Sequence, residues 1–217
     1  MLTLINSGLS SPFGRKIRIV LYEMGLTYRD DVRPGLRSVE ELRPLNPNLN
    51  LPVLIDGSQV LFDSNVIIDY LLERYATPPQ KRDMPPLAPS MTRHECRWQD
   101  LRLLATIETF ANTLVNVRHF RSEGQTADVS KYMRRQESRL ESCLDWLEDQ
   151  ATDEGFWPGC FSVMDIALVC PLSYAEGRNV LAWRGRPKLE CIFDRARLRQ
   201  SFIVTCEQSQ QAVASRV

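Results

Sequence analysis

Along the first 76 residues the apolar positions switch between two periods. Leu2 to Ile5 is an apolar run of strand length. Pro12 to Met24 carries Ile17, Val20, Leu21 and Met24 at the i, i+3, i+4, i+7 spacing of a helix face, and Gly25 follows as a stop. Thr27 to Val32 predicts a second strand, and Ser38 to Arg43 a short helix with Ser38 and Glu41 spaced as a capping box. Val53 to Ile55 and Gln59 to Leu61 flank Asp56-Gly57-Ser58 and predict a hairpin. Asp63 to Tyr75 predicts a helix with Ile67, Tyr70 and Leu71 on one face. The order is β-α-β-α-β-β-α, in which the first two strands, joined through a helix, should run parallel and the last two antiparallel.

After residue 76 the strand period disappears. Five of the thirteen prolines fall between Thr77 and Pro89, a density that neither a helix interior nor a central strand accepts. The expected organisation is therefore an α/β domain over 1–76, a linker over 77–89 and an all-α domain over 90–217. Leu103, Ile107, Phe110, Leu114 and Val117 form one helical stripe, and Leu140, Cys143, Leu144 and Leu147 another. Val163 to Tyr174 reads as a buried helix. Arg186 to Ile203 closes the folded part, and the chain from Glu207 reads as a frayed tail.

Composition narrows the function classes. Acidic and basic residues balance at 27 each, and residues 1–76 carry 8 Lys/Arg against 9 Asp/Glu, so no basic arm suits nucleic acid or an anionic membrane surface. The N-terminus lacks the basic start and apolar stretch of a signal peptide, and no apolar run approaches membrane-spanning length. A cytoplasmic location is expected. The six cysteines match no zinc or redox spacing and none precedes Cys96; they are expected to be reduced and mostly buried. With His94 and His119 as the sole histidines, no metal site is expected.

Three short segments carry candidate chemistry. Ser10-Ser11-Pro12 is a helix start, with serine at the N-cap and proline at N1. By local sequence Ser11 is a cap. The free N–H groups and partial positive charge there would also suit a thiolate. Leu51-Pro52 precedes a strand, either as an ordinary trans strand start or as a cis bond that leaves the Leu51 backbone free to pair with an extended peptide. Asp63-Ser64 opens a helix. It is capping chemistry, or a grip in which Ser64 and the helix N–H groups hold a carboxylate while Asp63 holds an ammonium.

Taken in order, these segments resemble the cytosolic glutathione transferases over nearly the whole chain. The first 76 residues resemble that family's thioredoxin-like domain. Ser11-Pro12-x-x-Arg15 resembles the first-helix start of serine-type members, Asn46-Pro47-x-x-x-Leu51-Pro52-Val53-Leu54 an N-P-x-x-x-V-P-x-L stretch, and Asp63-Ser64-x-x-Ile67 an E/D-S-x-x-I motif. Phe161-Ser162-Val163-Met164-Asp165 resembles the family's buried capping box, and Arg199-Gln200-Ser201-Phe202 the end of its last core helix.

The resemblance implies an α/β thioredoxin-like N-terminal domain plus an all-α C-terminal domain. It implies glutathione as co-substrate with no metal, and a two-fold homodimer. Ser11, or the neighbouring Ser10, would donate to the glutathione sulfur. Leu51, with Asn50 and Pro52, would hold the cysteinyl and glycyl portions, and Asp63 and Ser64 the γ-glutamyl end. Leu9, Phe13 and Phe110 would line an apolar pocket for a small electrophile. Asn50 stands where Lys or Gln is common and Leu49 where Gly is common. The absence of cysteine at the first helix start argues against thiol-disulfide chemistry. The expected activity is conjugation of glutathione to small, mostly apolar electrophiles. The alternatives are a glutathione-dependent isomerase or dehalogenase, and a non-catalytic binding or regulatory protein.

Overall fold

A computed structural model of the chain describes residues 1–33, 38–75 and 84–206. The first part of the expected linker, 77–83, and the expected tail from 207 lie outside the described residues. The chain divides into two compact units, Met1–Met91 together with the segment from Arg197 onward, and Thr92–Ala196.

The first unit begins β1 (Leu2–Asn6), α1 (Pro12–Glu23), β2 (Tyr28–Val32), α2 (Val39–Leu42), β3 (Val53–Asp56), β4 (Gln59–Phe62) and α3 (Ser64–Arg74). The sheet order is β2-β1-β3-β4. β1 pairs parallel with β2 and antiparallel with β3, and β3 pairs antiparallel with β4. This is the order and pairing that the apolar periods predict.

Strand alternation sends neighbouring side chains to opposite faces. Ile5 and Val53, directly paired, pack with Leu42 of α2, and Leu45, Leu49, Leu51, Ile55 and Phe62 border that cluster. Leu4 and Leu54, also paired and wholly buried, take the other face, and α1 and α3, which pack on each other, bury Ile17, Val20, Leu21, Ile67, Ile68 and Leu71. At Ser38 the hydroxyl accepts from the Glu41 N–H and donates to the Glu41 carboxylate.

The hairpin end opposite Asp63 is tied to α3. Tyr70 and Tyr75 both donate their hydroxyls to Asp56 Oδ2, the first at 2.8 Å. The Tyr75 and then the Tyr70 hydrogen bond hold the Asp56 carboxyl below the usual aspartate value, and the same bond pushes Tyr75 up to about 12. A carboxyl lowered in the folded state contributes stability above about pH 4 and loses it as the pH falls through the lowered value. Tyr70→Phe/Tyr75→Phe should therefore return the Asp56 midpoint to the ordinary range, as read from the pH titration of its carboxyl carbon by NMR.

The segment from Arg197 forms α8 (Gln200–Val204), which packs on α1. The run Arg186 to Ile203 thus divides between the two units. Arg199 Nε and Nη2 donate to the two carboxylate oxygens of Glu23, both at 2.7 Å, Ser201 donates to Glu23, and Arg199 Nη1 reaches the Pro85 carbonyl. Arg15 donates to the Phe202 carbonyl and lies 3.9 Å over the Phe202 ring.

The second unit contains α4 (Arg97–Ser122), α5 (Lys131–Gln150), α6 (Val163–Arg178) and α7 (Pro187–Arg197). α4 packs against α5 and α6. Every residue of both apolar stripes is buried, and Val163 to Leu172 is buried without interruption. Asp165 closes the capping box at the start of α6. Its carboxylate accepts from the Ser162 N–H at 2.8 Å, the Ser162 hydroxyl at 2.7 Å and the Phe156 N–H at 3.0 Å. Gly155 approaches so closely that an added Cβ would stand 2.8 Å from Asp165 Oδ1, at a φ of +111°.

None of the six cysteines is joined in a disulfide, but only Cys143 and Cys170 are buried, and Cys191 is exposed. The expectation of mostly buried thiols is corrected here, because the apolar stripes of these helices place only those two inward. No helix among the described residues is long and apolar enough to cross a membrane.

Candidate functional site

Sheet register decides which loops meet. Ile5 stands opposite Val53, and Val53 opposite Phe62. The chain leaves β1 after Asn6, enters β3 at Val53 and leaves β4 after Phe62, so all three passages occur at one end of the sheet. The segments Ser7–Ser11, Asn50–Pro52 and Asp63–Ser64 are brought together there although up to 57 positions separate them. A cross-tie strengthens the arrangement: Lys16 of α1, 2% exposed, donates to Asn65 Oδ1 in the first turn of α3 at 2.7 Å.

Ser11 is the N-cap of α1, with Pro12 at N1, and its Oγ accepts from the Gly14 N–H at 3.4 Å. This bond uses a lone pair, so the hydroxyl proton remains available to an acceptor. Ser10, Ser11, Leu9 and Phe13 are all half-buried. Residues 7–22 contain no acidic side chain, whereas Arg15, Lys16 and Arg18 are buried among them. The helix N-terminus biases the turn toward an anion.

The Leu51–Pro52 bond is cis. Asn46, 2% exposed, braces the preceding loop: its side-chain N–H donates to the Asn50 carbonyl at 2.8 Å, and its side-chain oxygen accepts from the Asn48 N–H. Leu49 holds a φ of 56°. Glycine is common at this place in the family resembled because it has no Cβ to strain there. Leucine costs about 1–2 kcal/mol, against which its packing on the Ile5–Leu42–Val53 cluster acts. Asn50 is exposed.

Asp63 is the N-cap of α3 at a φ of 68°, with Oδ1 accepting from the Asn65 and Val66 N–H groups. Those bonds occupy one oxygen of an exposed carboxylate and leave acceptor capacity on the other. Ser64 is buried. Phe110 requires a correction. It is wholly enclosed in the core-facing stripe of α4, so it packs the helical unit and does not line an open pocket.

Sequence reasoning passed over the support beneath the Ser7–Ser11 turn. Arg18 is 0% exposed, with Nη2 donating to the Leu9 carbonyl at 2.8 Å and lying 3.5 Å from the Gly8 carbonyl, and Nη1 3.6 Å from Asp30 Oδ2. Asn6 donates to Asp30 Oδ1 at 2.6 Å and accepts from the Gly8 N–H. Burial pushes the Asp30 carboxyl up, with Arg18 and Asn6 opposing, and Tyr28 is pushed up to about 12 by burial and then by Asp30. The signal was present: an arginine directly after Ile17 on an apolar helix, and an acid in the middle of a short strand.

Among the described residues no cluster of His, Cys, Asp or Glu could hold a metal. Residues 8–79 match the glutathione S-transferase N-terminal domain and residues 130–194 the glutathione S-transferase C-terminal domain. With the fold, these matches show that the chain belongs to the glutathione transferase family. A stringent starvation protein A homologue from Pasteurella multocida is 35% identical over 112 residues, which is 50% of this chain and 53% of that relative, so the match spans about half its length. An Escherichia coli relative named as an uncharacterised GST-like protein, YibF, is 26% identical over 90% of this chain and 94% of its own. A solved glutathione transferase family member from Pseudomonas fluorescens, with glutathione bound, is 26% identical at a TM-score of 0.74, covering 95% of this chain and 98% of that one.

Proposed function

We propose that this chain binds glutathione at the sheet end where the Ser10–Ser11, Leu51–Pro52 and Asp63–Ser64 segments meet, and conjugates it to small, mostly apolar electrophiles. The observation that carries this reading is the Ser11 hydroxyl. It accepts from Gly14 and keeps its proton to donate at a helix N-terminus free of acidic side chains. The glutathione held by the Pseudomonas fluorescens relative supports the choice of ligand.

In this reading Leu51 pairs through its backbone with the cysteinyl portion and Asn50 lies beside the glycyl end. Ser64 and the α3 N–H groups take the γ-glutamyl carboxylate, and Asp63 its ammonium. A cysteine thiol has a pKa of about 8.5, and lowering it by about two units needs roughly 2.7 kcal/mol. A charge-assisted hydrogen bond from Ser11 and the helix field together reach that size. The thiolate sulfur attacks the electrophilic carbon and forms the C–S bond. The leaving group departs with its electron pair, or in an addition the adjacent carbon takes up a proton. Leu9 and Phe13 form the apolar side. The same reading makes the protein a cytoplasmic two-fold homodimer.

The test is Ser11→Ala beside Ser10→Ala. Ser11→Ala should lower kcat/KM about 100-fold. Its glutathione dissociation constant, read by calorimetry, should stay within about threefold of wild type, and Ser10→Ala should change both little. Equal loss of binding and rate would contradict the assigned role. Wild-type protein that binds glutathione but conjugates none of a panel of electrophiles would overturn the enzyme reading.

Such an outcome would favour a second reading, a binding protein without turnover. It draws support from the short, uncharged and exposed Asn50, from the left-handed Leu49, and from a 35%-identical relative named for stringent starvation and not for transfer.

A further inference from the structure

The site described so far takes its shape from a group that touches no ligand. We propose that Arg18, fixed by Asp30 and Asn6, is a positioning residue that turns the Leu9 and Ser10 amides outward, so that they join the Ser11 hydroxyl as donors to the sulfur anion. The assignment of the sulfur rests on the glutathione reading above; the tether itself does not.

The geometry runs through peptide planarity. In a trans peptide the C=O and the following N–H point in opposite directions. The Gly8 and Leu9 carbonyls are aimed at the buried Arg18 guanidinium, at 3.5 and 2.8 Å. The N–H groups of Leu9 and Ser10 must then point away from that interior cation. Neither amide has a hydrogen-bond partner among the described residues. Two consecutive outward amides followed by a hydroxyl at a helix cap make a concave set of donors of the kind that holds anions.

The rest of the network keeps the fork in place. Asp30 Oδ2 faces Arg18 Nη1, Asp30 Oδ1 accepts from Asn6, and Asn6 in turn accepts from the Gly8 N–H, closing a loop from β1 through β2 and α1 back to the turn. Gly14 belongs to the same packing, since a Cβ there would lie 3.4 Å from Asn6 Cβ. A guanidinium suits this role because its planar fork addresses carbonyls and a carboxylate at once, whereas an ammonium presents one point of charge.

The experiment compares full-length wild type with Arg18→Lys, Arg18→Gln and Asp30→Asn by backbone amide order parameters from NMR relaxation, with thermal unfolding in parallel. Arg18→Lys should lower the order parameters of the Leu9 and Ser10 amides from about 0.85 to below about 0.6 while the Leu4 and Leu54 amides keep theirs. Asp30→Asn, which retains the acceptor and loses the charge, should give a smaller fall at the same two amides and remains informative if the Arg18 variants do not fold. In the glutathione conjugation assay, Arg18→Lys should move the pH midpoint of the rate upward by about one unit, with little change in KM. Order parameters at Leu9 and Ser10 that fall no more than those of the sheet core would overturn the tether. Wild-type protein that binds no glutathione would instead overturn the reading of the ligand, and the order parameters would still decide the role of Arg18.

Discussion

Replacing Asp165 by alanine is expected to destabilise the helical unit by about 3–5 kcal/mol. The carboxylate is 3% exposed and serves three donors at once, the Ser162 N–H, the Ser162 hydroxyl and the Phe156 N–H. Its removal leaves those donors in a dry interior, and each buried group without a partner costs about 1–3 kcal/mol. The cavity left behind adds to this, and Gly155 has no side chain to fill it. All four tryptophans, Trp98, Trp146, Trp157 and Trp183, lie in this unit, so the fluorescence change in a urea titration reports on it selectively. A free energy within about 1 kcal/mol of wild type would refute the assignment.

Asp165→Asn should fall between the two proteins, because an amide keeps one acceptor oxygen and turns an NH2 toward donors. It also separates a pH effect. Burial pushes the Asp165 carboxyl above the ordinary aspartate value, against the bonds from Ser162 and Phe156 and the charge of Arg195. A carboxyl raised in the folded state contributes stability that is complete below about pH 4 and is lost as the pH rises through the raised value. That slope should be present in wild type and absent in Asp165→Asn, as read from unfolding free energies at several pH values.

The second large effect is expected at Arg199. Arg199→Ala should cost about 3–5 kcal/mol, because it takes both guanidinium hydrogen bonds and the compensating charge from a nearly enclosed Glu23 carboxylate. The side chains of the pair are only 6% and 9% exposed, so solvent does little to relieve the charge left behind. α8 should then loosen from α1, and amide exchange at Phe202 and Ile203 should rise toward the unprotected rate. Arg199→Lys should be intermediate, since an ammonium cannot span both carboxylate oxygens. The double replacement Glu23→Leu/Arg199→Leu should recover much of the loss, because removing both charges also removes the desolvation cost. A double variant no more stable than Arg199→Ala would show that packing at this contact outweighs its charges.

Both predictions concern residues whose type was visible from the start, yet their legibility differed. The Ser162–Asp165 spacing is local, and a capping box needs nothing beyond three residues and a helix start. Here it entered through the family resemblance, although the spacing alone carries the signal. Arg199 was recognised only as part of a resemblance, since its partner Glu23 stands 176 positions earlier and no local pattern joins them. Arg18 was passed over for a similar reason, since its partners lie on β2 and in the turn after β1. Phe110 shows the converse error. An aromatic residue on a helix stripe looks the same whether it faces a cavity or a filled core, and here the core encloses it.

The element order of the first unit, the parallel and antiparallel pairings, both helical stripes and the α2 cap follow from periodicity, turn residues and spacing, because those features are set by neighbours within a few positions. The roles of Ser11, Leu51 and Ser64 could not follow from the same signals. Each is a plausible cap or strand start in isolation, and a cap looks alike with or without a ligand. Only the pairing of Ile5 with Val53 and of Val53 with Phe62 carries the three segments to one end of the sheet, and only burial converts Arg18 from a surface charge into a tether. Tertiary structure decides these because contact across strands and the loss of water around a charge depend on chain segments that local sequence does not bring together.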